Sequence, residues 1–143
     1  MKLAAAQIKC TVGALGANVR KILDYTNQAR ELGASLIVTP ELAISGYPPE
    51  DLLLRPGFVS ACADALAGLA REVTGIAVVV GHPHYVAGEL HNAASVIYEG
   101  KIIATYLKNL LPNESVFDEK RYFKPGSAPC VFELHGKKFG VNI

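Results

Sequence analysis

The chain has 143 residues, half of them apolar and 19% charged, with a formal net charge of +1. That length suits one domain or part of one, with enough apolar residues for a packed core. The near-neutral charge, without a basic run, speaks against nucleic acid or an anionic membrane surface as partner, and no apolar stretch nears the roughly 20 residues of a membrane span.

Lys2 to Lys9 reads as a strand, alanine-rich but apolar enough to be buried on both faces. Thr11 to Gly16 is a loop. Asn18 is placed to cap a helix running to Leu32, with an apolar stripe of Val19, Ile22, Leu23, Ala29 and Leu32 and with Gly33 just past its end. Ser35 to Val38 follows as a short buried strand, which makes a β-α-β unit with parallel strands. Pro40 has no N–H for a ladder, so Glu41 stands where the strand stops and a loop begins. Reactive side chains in α/β proteins commonly sit there. On position alone the plainer reading is an exposed loop glutamate.

Pro48 to Asp51 leads into a helical turn with acidic residues at its start. Phe58 to Val73 is a second helix, and Ile76 to Val80 a β-branched strand. The spacing then predicts strands over His84 to Val86, Asn92 to Tyr98 and Lys101 to Leu107, the last two joined by a Glu99-Gly100 hairpin turn. Lys108 to Pro129 is long, polar and broken by prolines. Its aromatics (Phe117, Tyr122, Phe123) argue for order, and a loop of that length inside a compact chain is usually functional. Cys130 to Leu134 and Lys137 to Ile143 form a final hairpin around His135-Gly136. The order of elements is that of an α/β fold, a mixed sheet with helices on one face and a second face that must be covered by something else.

Cys10, Cys62 and Cys130 are an odd count without CxxC spacing. They read as reduced thiols of a cytosolic protein, not as disulfides or a zinc site. The N-terminus lacks the long apolar stretch of a signal peptide. His82, His84 and His91 have no cysteine or carboxylate pair at ligand spacing, so they read as strand-end packing and not as a metal site.

Glu41 and Lys108 each follow an apolar strand directly. If those strands lie near each other in one sheet, both side chains enter one crevice beyond the strand ends. A carboxylate beside an ammonium suits acyl transfer: the first takes a proton from a nucleophile, and the second stabilises a developing oxyanion. A nucleophile is what the pair lacks, since each cysteine taken alone reads as structural.

Thr39-Pro40-Glu41, the Lys108 region and Phe139-Gly140-Val141-Asn142-Ile143 resemble the carbon–nitrogen hydrolase (nitrilase) superfamily, in the order of its glutamate, lysine and pre-cysteine motifs. Within it, Ser45 to Leu53 and Leu111 to Phe123 resemble the glutaminase domain of glutamine-dependent NAD synthetases. The resemblance runs from Lys2 to Ile143. It implies that residues 1–143 are the N-terminal part of the hydrolase domain, about half of an α-β-β-α sandwich. Glu41 would be the general base, Lys108 the oxyanion-stabilising cation and Glu119 a second glutamate bracing the site. Tyr47, Glu114 and Phe117 would meet the glutamine. Glu114 departs from the synthetase pattern, which typically has tyrosine there, so a ring contact is exchanged for a carboxylate able to meet an α-ammonium.

In the family the nucleophilic cysteine directly follows a strand like Gly140 to Ile143, so this chain stops one residue short of it. It is therefore expected to be inactive alone. The implied reaction is glutamine hydrolysis through a thioester, with the ammonia used for ATP-dependent amidation of deamido-NAD to NAD. The hydrolase itself needs no cofactor or metal; ATP and Mg²⁺ belong to a synthetase domain absent from these residues. The implied partners are glutamine, the remainder of the hydrolase domain, the synthetase domain and further copies in a homo-oligomer. Two alternatives stand: a truncated stand-alone amidase or carbamoylase of the same superfamily, and a non-catalytic module that pairs with a separate second half.

Overall fold

Five strands form one mixed sheet in the computed structural model, which describes all 143 residues. The strands β1 (Leu3–Ala5), β2 (Leu36–Val38), β3 (Ala77–Val86), β4 (Glu89–Tyr98) and β5 (Lys101–Leu107) lie side by side in chain order. β1, β2 and β3 run parallel, and β4 then β5 are added antiparallel. Helices α1 (Leu15–Glu31) and α2 (Pro56–Glu72) are the crossovers of the parallel half.

Strand alternation divides the sheet into two faces. Ile37, Val78, Val80 and Ile97 point to the helices and pack with Ile22, Cys62, Leu66 and Leu69. Each fully buried aliphatic side chain there stabilises the fold by about 1.5–3 kcal/mol. Leu36, Ala77, Val79, Ala94 and Val96 point the other way, onto Phe132 and Leu134. Those two belong to the hairpin β6 (Cys130–Leu134) and β7 (Lys137–Val141), where Phe132 and Phe139 stack with ring centroids 5.4 Å apart. The layers are thus helix, sheet and hairpin. The second face, expected to need a cover, receives one at its centre from this hairpin.

Several elements differ from the sequence expectation. β1 has three residues and is not buried on both faces: it is the sheet's edge, and Leu3 is 55% exposed. Asn18 lies inside α1 and does not cap it; no side chain caps that helix. α2 starts at Pro56, a residue suited to the first helical position because its missing N–H has no partner to lose there.

The strands expected at Ile76–Val80 and His84–Val86 fall on one strand, Ala77–Val86, that runs through Pro83. Pro83 is opposite Asn92, whose carbonyl turns towards β5 and accepts from the Lys108 N–H at 2.8 Å. The Pro83–Asn92 pair is therefore a non-hydrogen-bonded one, and the proline nitrogen faces the side where β2 has already ended at Val38.

Candidate active site

The Glu41 segment leaves β2 and leans over its neighbour. Thr39 still donates its N–H to the Val79 carbonyl at 3.0 Å, and Pro40 then ends the ladder. The chain crosses β3 at Gly81, where a Cβ would stand 2.4 Å from Leu42 N and 2.8 Å from Pro40 O. Only glycine leaves room for that crossing. Leu42, next to Glu41, is buried with φ at 51°, left-handed backbone of a kind that typically costs about 1–3 kcal/mol.

Two further contacts brace the segment from behind. The buried Asn18 side chain accepts from Thr11 N at 2.9 Å and donates to Thr11 O at 2.8 Å and Ile44 O at 3.0 Å. Gly46, at φ 79°, lies so close that a Cβ would be 2.5 Å from the Thr11 backbone. Asn18 is a strut between loops, which is what its side chain does in place of capping.

Lys108 arrives from the other side of the sheet. Asn92, Ala94 and Val96 on β4 share a face with Ala104 and Tyr106 on β5, and Lys108 continues that alternation onto the side away from the helices. Its ammonium donates to Glu41 Oε1 at 2.6 Å and to Glu119 Oε1 at 2.8 Å. Glu119 opens a short 3₁₀ turn, Glu119–Arg121, inside the long segment after β5. Burial alone would push the Lys108 pKa down. The hydrogen bonds and charges of Glu119 and Glu41 outweigh it and hold the group above the usual lysine range. Lys108 is a fixed cation between two carboxylates.

From the sequence, Glu41 and Lys108 share a crevice if their strands lie near each other in one sheet. In the structure β3 and β4 separate β2 from β5, and the lean across Gly81 closes the gap. Sequence reasoning missed Asn92, which donates to Glu41 Oε1 at 2.6 Å and reaches Glu119 Oε2 at 3.5 Å. The available signal was a lone polar residue at the head of an apolar strand, on the face that carries Ala94 and Val96.

Two cavities flank the cluster. One of about 330 Å³ is lined by Tyr47, Phe117 and Glu119 with Leu42, Leu53 and Phe123. Burial, with the charges of Glu41 and Glu119 adding to it, pushes the Tyr47 hydroxyl pKa up. Glu114 does not line this cavity and is exposed, apart from the other residues expected to meet substrate. A second cavity of about 300 Å³ lies between sheet and hairpin, lined by Glu41, Gly81, Phe132, Asn142 and Ile143 among others.

The three cysteines take no part. Burial pushes all three thiols up, Cys62 to about 11, the opposite of an activated nucleophile. The histidines hold structure: His82 Nδ1 donates to Pro83 O at 3.1 Å, its Nε2 accepts from Ser95 Oγ at 2.7 Å, and His91 Nδ1 donates to Lys124 O at 2.8 Å. No group of three or more histidine, cysteine or acidic residues stands together to hold a metal ion.

Residues 2–143 match the family model described as carbon–nitrogen hydrolase. The chain belongs to the carbon–nitrogen hydrolase family. Glutamine-dependent NAD(+) synthetase of Xanthomonas campestris pv. campestris is 49% identical over 146 residues, covering 100% of this chain and 26% of the relative. The solved structure of glutamine-dependent NAD+ synthetase from Acinetobacter baumannii is similar at a TM-score of 0.90 and 40% identity, over 94% of this chain and 26% of that one. An amidase from Nesterenkonia sp. is similar at a TM-score of 0.83 and 30% identity, over 98% of this chain and 54% of that one. This carbon–nitrogen hydrolase chain thus spans about a quarter of the length of the curated relatives it matches. The narrower resemblance, to the glutaminase part of the synthetases, is that of the same residues.

Proposed function

We propose that these residues supply the charged half of an amide-hydrolysing site whose substrate is the side-chain amide of glutamine. One observation carries the reading: a buried lysine ammonium bridges two glutamates at 2.6 and 2.8 Å between two cavities. Glu41 takes the proton of an attacking thiol, Lys108 stabilises the oxyanion on the amide carbon, and Glu119 keeps Lys108 charged and in place. Glu41 returns that proton to the amide nitrogen, so collapse of the tetrahedral species expels ammonia and leaves a thioester, which water then hydrolyses to glutamate and the free thiol. Tyr47 and Phe117 offer walls for the glutamine, and Glu114 a more distant carboxylate.

The thiol is proposed to come from outside residues 1–143. Support comes from the raised pKa of Cys10, Cys62 and Cys130, and from a mutant of the Nesterenkonia amidase that shows Michael addition of acrylamide at the active-site cysteine. The 49% identity to a glutamine-dependent NAD(+) synthetase favours delivery of the ammonia to an ATP- and Mg²⁺-dependent amidation of deamido-NAD. The reading extends to a cytosolic homo-oligomer. No helix here is long and apolar enough to cross a membrane. The likeness to the Nesterenkonia amidase favours a second reading, hydrolysis of simple aliphatic amides.

Ammonia release separates these readings. The protein expressed from its full reading frame should turn over glutamine far faster than acetamide, and the 143-residue chain should release no ammonia above buffer. Preference for acetamide would favour the amidase reading. Turnover by the short chain would return the nucleophile to one of its own cysteines.

A further inference from the structure

Three charged groups meet at this site, and one neutral side chain reaches both carboxylates. The Asn92 side-chain amide nitrogen is 2.6 Å from Glu41 Oε1 and 3.5 Å from Glu119 Oε2, and the Asn92 backbone carbonyl accepts from the Lys108 backbone N–H at 2.8 Å. Asn92 is fully buried, and its Oδ1 has no hydrogen-bond partner at all. Turning the amide over would set Oδ1 against two carboxylate oxygens, so the charges dictate its orientation. The fold accepts an orphaned buried carbonyl, which costs stability, in exchange for an N–H aimed at the glutamates. An apolar residue of the same size would avoid that cost and lose only the aim.

The pattern of donors has a consequence for Glu41. Lys108 and Asn92 both donate to Oε1, and no hydrogen bond falls on Oε2. Two donors from two strands fix one carboxylate oxygen and so the plane of the whole group. The other oxygen is left as a free acceptor on a side chain that lines the cavity between sheet and hairpin. We propose that Asn92 is a positioning residue, clamping Glu41 Oε1 so that Oε2 is held ready to take the proton of the nucleophile. Its amide does this without a charge, so it does not compete with Lys108 for the oxyanion. This inference rests on the proposed role of Glu41 as base.

Steady-state glutamine hydrolysis by the protein from its full reading frame tests it, with kcat, KM and the pH profile of kcat/KM measured for Asn92→Leu, Asn92→Asp and Glu41→Gln. Asn92→Leu should lower kcat on the order of 10²-fold with KM little changed, as misplacement of a reacting group does. Asn92→Asp is nearly isosteric and decides alone if the leucine variant does not fold. It sets a further carboxylate beside Glu41 and disfavours its ionised form, so the acid limb of the profile should move to higher pH. A wild-type kcat and acid limb in Asn92→Asp, beside an inactive Glu41→Gln, would overturn the inference and leave the base assignment standing. Lost activity with an unmoved acid limb would also overturn it, as the mark of a merely structural residue. Wild-type turnover by Glu41→Gln would remove the base assignment, and this inference with it.

Discussion

At the scale of single residues, the fate of each buried charge follows from its partners. Lys108 stays a cation because two carboxylates answer its burial. His82 is buried without an anion beside it. Burial lowers its pKa to about 4, the Pro83 carbonyl opposes that, and neighbouring His84 adds to it. The ring is therefore neutral when folded, and its Nδ1–H and Nε2 serve the chain Pro83 O, His82, Ser95, Thr105, whose hydroxyls are 2.9 Å apart. An unfolded chain takes up the proton near 6.5 and the folded one near 4, so the unfolded state binds more protons in between. Stability is full above 6.5 and declines as pH falls through that window, by on the order of 3 kcal/mol from this one group. Urea midpoints at pH 7 and pH 4.5 should fall less in His82→Gln than in the parent. An equal fall in both would mean that His82 is not held neutral by the fold.

Among elements, the decisive contact is the loop after β2 crossing β3. Gly81→Ala places a Cβ 2.4 Å from Leu42 N, where neither backbone can yield cheaply. Overpacking of that kind costs about 1–3 kcal/mol, and displacing Glu41 by even an ångström costs on the order of 10²-fold in rate. A thermal melt and an ammonia assay should both register the loss; parental values for both would show that the crossing has slack. Much of this architecture was legible in the sequence, since the β-α-β order, the hairpins at Glu99-Gly100 and His135-Gly136 and the strand ends at Glu41 and Lys108 follow from periodicity, turn residues and Pro40. The crossing was not. A lone glycine after Val78-Val79-Val80 signals a close backbone approach but does not name what approaches, because that contact is long-range. Asn18 was misread for a related reason: the side chain that caps helices also bridges loops, and local spacing cannot tell the two apart. Pro83 split one strand into two expected ones, because only the pairing register reveals that its nitrogen faces the side where β2 has already ended.

At the scale of the molecule, one layer of helices and one hairpin sandwich a five-stranded sheet, and the charged cluster lies on the hairpin side. Convergence there needs every level at once: alternation places Asn92 and Lys108 on one face, the glycine crossing brings Glu41 to them, and the segment after β5 folds back to add Glu119. Phe123, which donates its N–H to the Glu119 carbonyl at 2.8 Å and is buried against Leu42 and Leu53, anchors that return. Family membership gives the cluster its meaning, and the base assignment is the point on which the proposed function turns. The most direct measurement is the rate of ammonia release from glutamine by Glu41→Gln, in protein expressed from its full reading frame. The substitution keeps size and shape and removes the proton acceptor, so the rate should drop by on the order of 10²–10⁴-fold with the melt little changed. A rate near that of the parent would contradict Glu41 as the base.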